Sequence, residues 1–147
     1  MHRHPELEPF EERILLLAPF GQDAPIAEDI LKRSGIASVI CSDVTCLCSE
    51  ISTGAGALVI AYEALSETTI DEFATVLEQQ PAWSDIPILV FMPASSSHTA
   101  KAKQLTFDRL GNVTLMERPI RIATFISSVQ AALRARRRQY QVRTLME

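Results

Sequence analysis

No stretch of this sequence approaches the ~20 consecutive apolar residues that a membrane-spanning helix requires, so a bilayer-spanning chain is not its reading. Glycine is scarce, five residues in 147, and proline stands at eight, which excludes collagen-like and low-complexity chains. Cysteine is limited to Cys41, Cys46 and Cys48. The number is odd, and Cys46 and Cys48 lie too close for an ordinary bridge, so reduced, buried thiols are expected rather than a redox sensor. The opening MHRHPELEPFEE is too acidic for a signal or transit peptide, which points to a cytoplasmic protein. His2 and His4 have no Cys or carboxylate partners at ligand spacing, so they read as part of a solvated arm and no metal is expected. His98, in a Ser-rich turn, is the sole internal histidine, and no nucleophile elbow accompanies it.

What is present is a globular composition, 47% hydrophobic and 22% charged, at the length of one domain. Charge is unevenly placed. Residues 1–133 hold nine Lys/Arg against seventeen Asp/Glu, a net of -8, while 134–147 hold five Arg and one Glu, a net of +4. An acidic body argues against nucleic-acid binding, which depends on neutralising phosphates with a cationic surface.

After a polar arm over residues 1–12, five short apolar runs follow: 14–18, 38–41, 57–61, 87–92 and 113–116. Most are apolar on both faces, the pattern of a parallel sheet buried on both sides. Helical spacing fills the gaps. Ile26, Ile30 and Leu31 mark the first helix, and Val44, Leu47, Cys48 and Ile51 the second. The third runs from Ser66, an N-cap residue, through Ile70, Phe73, Ala74 and Leu77, and must stop near Gln80 before Pro81. The segment 95–110 has few apolar anchors and is expected to be the least stable helix. The last helix starts near Arg121, carries Ile122, Phe125, Ile126, Val129 and Leu133, and meets no Gly or Pro before Glu147. It is predicted to run about 25 residues, its inner half on the sheet and 134–147 extending past the body. Five β-then-α units with right-handed crossovers give an α/β fold, a three-layer, doubly wound, five-stranded parallel sheet of order 2-1-3-4-5, spanning 13–133.

That order gathers the strand ends near Ala18, Tyr62, Met92 and Arg118 at one crevice. The turn Ala18-Pro19-Phe20-Gly21-Gln22-Asp23 holds a single glycine and cannot form a dinucleotide fingerprint or a Walker-type phosphate loop. The unit order, the segment Trp83-Ser84-Asp85-Ile86-Pro87-Ile88-Leu89-Val90 and the end Met116-Glu117-Arg118-Pro119-Ile120 resemble the receiver domain of two-component response regulators. The most specific piece is Arg118-Pro119, which is similar to the Lys-Pro after that family's fifth strand.

The resemblance implies an acidic pair after strand one, a phosphoacceptor Asp after strand three, a Ser/Thr after strand four and a Lys after strand five. Here those positions fall on Ala18 and Pro19, on Tyr62, on Met92 and on Arg118. Only the positive charge survives. A one-residue slip would bring Glu63 to the phosphoacceptor position, but an isolated carboxylate cannot assemble an oxygen-rich Mg²⁺ site. Asp23 is expected to cap or precede the first helix, and Arg118 to pair with Glu63 or Glu117. The pattern is that of a degenerate pseudo-receiver, with no cofactor and no catalysis of its own.

The basic end resembles the helices that lead out of N-terminal receiver-like modules of sensor histidine kinases. Ile126, Val129, Leu133, Arg136 and Tyr140 follow a 3,4 spacing and form an imperfect seam for a weak homodimer and connector. The expected function is a non-phosphorylatable signalling domain acting by protein contact in a two-component pathway, as the N-terminal module of a histidine kinase. In that reading the 147 residues are a fragment of a longer chain. The alternatives are a stand-alone pseudo-response regulator that contacts a kinase or output protein through its fourth-to-fifth-helix face, and a flavodoxin-like small-ligand or nucleotide-binding enzyme. The last would need a polar, roomy crevice.

Overall fold

Alternation along the apolar runs divides the protein into two cores. The computed structural model describes residues 8–94 and 108–146. The five strands are β1 (Ile14–Leu17), β2 (Ser38–Cys41), β3 (Ala57–Ala61), β4 (Ile88–Met92) and β5 (Val113–Glu117), all parallel in the order β2-β1-β3-β4-β5. Every residue of β1, β3 and β4 is buried, as central strands covered on both faces require. Leu15, Leu17, Leu58, Ile60, Ile88 and Val90 point to one side of the sheet, and Ile14, Leu16, Val59, Leu89 and Phe91 to the other.

The first side is covered by α2 (Val44–Thr53) and α3 (Glu67–Glu78), whose stripes are the expected ones. Asp43 caps α2 by accepting from the Cys46 N–H at 2.7 Å. At α3, Ser66 Oγ accepts from the Thr69 N–H at 3.2 Å while Thr69 Oγ1 accepts from the Ser66 N–H at 2.7 Å, a reciprocal capping box. The helix stops at Gln79, two residues before Pro81.

The second side is covered by α1 (Asp23–Arg33) and α4 (Ile122–Met146). Of the expected Ile26, Ile30 and Leu31, Leu31 is buried and Ile30 packs partly on the second core, while Ile26 is 56% exposed and Ala24 and Ala27 complete the inward face. Two small alanines let the helix lie close to the sheet, and Ile26 is turned to the rim. Of the segment 95–110, residues 95–107 lie outside the described residues; Asp108–Leu110 form a 3₁₀ turn with Leu110 buried.

The largest correction concerns α4. Its 25 residues match the predicted length, but the half beyond Leu133 does not leave the body. Arg136 and Tyr140 are each 3% exposed. Arg136 donates from Nε to the Ala55 carbonyl at 3.0 Å and from Nη1 to Ser84 Oγ at 2.8 Å and Gln139 Oε1 at 2.7 Å. The Tyr140 hydroxyl lies 2.9 Å from both the Ala55 and Glu11 carbonyls. The guanidinium groups of Arg136 and Arg143 lie over the Trp83 and Tyr140 rings at 4.6–5.4 Å.

The described end of the N-terminal arm is docked as well. Pro9–Glu11 form a 3₁₀ turn, Glu11 pairs with Arg143 at 2.7 Å and Glu12 with Arg137 at 2.7 Å. Phe10 packs so tightly on Gly54 that a Cβ there would fall 2.7 Å from its ring, and Gly54 also has φ of 138°. Contacts among the described residues therefore cross positions 12 and 133, joining Phe10, Glu11 and Glu12 to Gly54, Arg137, Tyr140 and Arg143. Residues 1–7, with His2 and His4, lie outside the described residues, as does His98.

Candidate functional site

Methyl groups floor the crevice at the carboxyl ends of the strands. Ala18, Ala24 and Ala61 form a buried cluster there, joining the end of β1, the start of α1 and the end of β3. Pro19 is exposed on the rim. Tyr62 begins a 3₁₀ turn, Tyr62–Ala64, and is half-buried against the core that α2 and α3 cover. Met92 ends β4 and is 2% exposed, its side chain part of the same core. The positions expected after strands one, three and four are thus adjacent in space, and none of them is a carboxylate.

Arg118 follows β5, anchored by its N–H donating to the Met92 carbonyl at 3.0 Å, and its peptide bond to Pro119 is cis. Its guanidinium joins two carboxylates. Nη1 donates to Glu63 Oε1 at 2.5 Å, and Nη2 donates to Glu63 Oε2 at 3.1 Å and to Asp23 Oδ2 at 3.0 Å. The fork geometry with Glu63 is the strong form of this pair. Burial pushes the Glu63 carboxyl up, but the hydrogen bonds and charge of Arg118 outweigh it, leaving Glu63 below its ordinary value. The same bonds, with Glu63 foremost, raise Arg118.

The expected Glu63–Arg118 pairing is present. Asp23 is the residue that sequence reasoning missed. It opens α1 but makes no capping bond, because the N-cap residue is Gln22, and its side chain turns to Arg118 instead. Nothing in its local pattern separates it from an ordinary first-turn acid; only the approach of α1 to the end of β5 does. Glu63 is therefore not isolated from other carboxylates.

The Mg²⁺ that a phosphorylated receiver needs does not fit this donor set. The floor offers methyls, and the two nearby carboxylates are both paired with the Arg118 guanidinium, whose hydrogen bonds occupy both Glu63 oxygens and Asp23 Oδ2. Among the described residues, no group of three or more His, Cys, Asp or Glu is placed to hold a metal.

Beside Arg118, between α1 and α4, lies a groove of about 490 Å³. Ile26, Ile30, Phe91, Ile120 and Phe125 are among its walls, and Asp23 and Arg118 are its charged residues. It is roomy but apolar, unlike the polar crevice that the enzyme alternative requires. Cys41 and Cys48 are buried, and burial, then the Cys46 thiol, pushes Cys41 up to about 12. Such a thiol is a poor nucleophile.

The residues expected to form a dimer seam are not on a free face. Val129, Leu133, Arg136 and Tyr140 are buried against this chain's own body, and Ile126 packs partly on the second core. Their 3,4 spacing is real, but it marks the face that docks on the sheet and on the N-terminal turn.

No family model and no curated protein sequence matches the chain. Solved structures do. NtrX from Brucella abortus in complex with ADP superposes with a TM-score of 0.70 at 16% identity, over 91% of this chain and 28% of that one. A CheY-like response regulator receiver domain protein from Methanospirillum hungatei gives 0.68 at 9% identity, over 87% of this chain and 98% of that one. A sensor protein from Polaromonas gives 0.64 at 17% identity, over 85% and 98%. This chain thus spans under a third of the length of the Brucella protein, and identities this low speak for the fold alone.

Proposed function

We propose that this chain, whose fold is that of receiver domains, is a receiver-like module of two-component signalling that has given up phosphotransfer and acts by protein contact. The observation that carries the reading is the Glu63–Arg118–Asp23 cluster set over the alanine floor. In a receiver the crevice changes state when a phosphoryl group and a divalent cation arrive. Here a guanidinium and two carboxylates occupy the equivalent place as part of the chain, so the crevice's charges are built in rather than delivered. Regulation must then come through contacts made elsewhere on the surface.

The context we favour is the N-terminal regulatory module of a sensor histidine kinase, supported by the long helix α4 that leads away from the crevice. A stand-alone pseudo-response regulator is the second reading, supported by the 98% coverage of the Methanospirillum receiver protein. Two observations test the proposal. A coding sequence that continues in frame from α4 into a histidine kinase supports the first context, and a stop codon after residue 147 selects the second. In the longer chain, deleting residues 1–147 should change the autophosphorylation rate, and an unchanged rate would remove the regulatory role.

A further inference from the structure

With one stripe of α4 committed to the body, the opposite stripe can be read on its own. Ser128, Ala131, Ala135, Arg138, Val142 and Leu145 follow strict 3,4 spacing along that side, with Ser128 and Ala135 half-buried and the other four exposed. Val142 is 45% exposed and Leu145 is 86% exposed, large apolar side chains of a kind a folded surface seldom presents together on one helix without a partner.

We propose that this outward stripe is a parallel two-helix seam for a second copy of the chain. In heptad terms Ser128, Ala135 and Val142 take the a positions and Ala131, Arg138 and Leu145 the d positions. A β-branched residue at a with leucine at d is the combination that favours two parallel strands, and Val142–Leu145 supply it. The small residues upstream allow close approach of the two helices where the bodies flank them.

Charge at the flanks permits the pairing. The g position of one helix faces the following e position of the other, which sets Arg134 against Gln139 and Gln141 against Met146, with no like-charge pair. Gln139 is moreover held by the Asp85 backbone, accepting from its N–H at 2.8 Å and donating to its carbonyl at 2.7 Å. Among the described residues, the body packs on the opposite side of α4, where Phe125, Val129, Leu133, Arg136 and Tyr140 are buried. One layer opposes association: Arg138 would face its own copy at a d position. An apolar stripe this narrow, without an aromatic residue, does not suit a membrane surface, which takes a broad face. The inference does not depend on the signalling reading, since a monomer would leave the crevice unchanged and a phosphorylated crevice would leave the seam unchanged.

Sedimentation equilibrium on the full 147-residue chain tests it, with far-UV circular dichroism as the folding control. The unaltered chain should show a weak, concentration-dependent dimer. Arg138→Leu should tighten it about tenfold or more, as removal of about 1.4 kcal/mol of repulsion gives. Leu145→Glu, at an exposed position, should return a monomer with an unchanged spectrum. A dimer indifferent to Leu145→Glu, an Arg138→Leu chain no tighter than the parent, or a monomer in all three would overturn the proposal. If phosphatidylserine vesicles bind the unaltered chain through Leu145 while no dimer forms, the stripe belongs to a membrane surface and the proposal likewise fails.

Discussion

Arg118 is held by two carboxylates that come from different parts of the chain, and its contribution depends on their ionisation. Because Glu63 is held below its ordinary value, the stabilisation from this pair is complete above about pH 4.5 and is lost as pH falls through the lowered value. Arg118→Met should therefore cost about 1 kcal/mol at neutral pH, a modest figure because the partners are partly exposed. The difference between variant and parent should shrink as pH falls below 4.5. Urea unfolding at pH 7 and pH 3.5 checks both points, and a gap that stays constant between the two would contradict them. The thiols give a second expectation. With Cys41 pushed up to about 12 and Cys48 also raised by burial, iodoacetamide at pH 8 should modify the half-buried Cys46 first. Peptide mapping that found Cys41 labelled ahead of Cys46 would show that the β2–α2 region opens readily. At this scale the sequence was legible where a residue's place follows from a strand end, as with Arg118 and Glu63. It was not legible for Arg136, which the 3,4 spacing assigned to a dimer seam, because nothing local announces that Trp83 and Tyr140 will enclose it.

The helix α4 behaves as part of the domain along most of its length. Burial lowers the pKa of Arg136, so the cation is retained in its site by the Ala55, Ser84 and Gln139 acceptors and the two rings rather than by a carboxylate in contact. Arg136→Ala should cost about 2–3 kcal/mol, from lost hydrogen bonds to a charged group and lost ring contact. Truncation after Leu133 should cost more, since Tyr140 and the ion pairs to Glu11 and Glu12 go with it. Hydrogen exchange should then show the Pro9–Glu11 turn and the Gly54–Gly56 stretch losing protection together. If the truncated chain unfolds at the parent's midpoint, the docking described for residues 134–143 is wrong. The strands, the Ser66 cap and the stop of α3 could be read in advance, because they depend on local pattern and on Pro81. On α1, Leu31 was readable, but the burial of Ala24 and Ala27 in place of Ile26 was not, since that is a matter of how close the helix lies to the sheet.

For the whole molecule, the contrast between an acidic body and a basic end is settled in part inside the chain. Arg137 and Arg143 meet Glu12 and Glu11, so the basic residues clamp the two ends of the domain to each other. The five units and their order were readable from periodicity, and the crevice position followed from the order. What the order could not supply was the chemistry that fills the crevice. That chemistry is the central proposal: we read the guanidinium bridging Glu63 and Asp23 over a floor of Ala18, Ala24 and Ala61 as leaving, among the described residues, neither a cation site nor a phosphoacceptor. The direct measurement is the intact mass of the chain after incubation with acetyl phosphate and Mg²⁺, read before and after a hydroxylamine step that removes acyl phosphates. The account predicts an unmodified mass throughout. A gain of one phosphoryl mass that hydroxylamine reverses, and that Glu63→Gln abolishes, would contradict it.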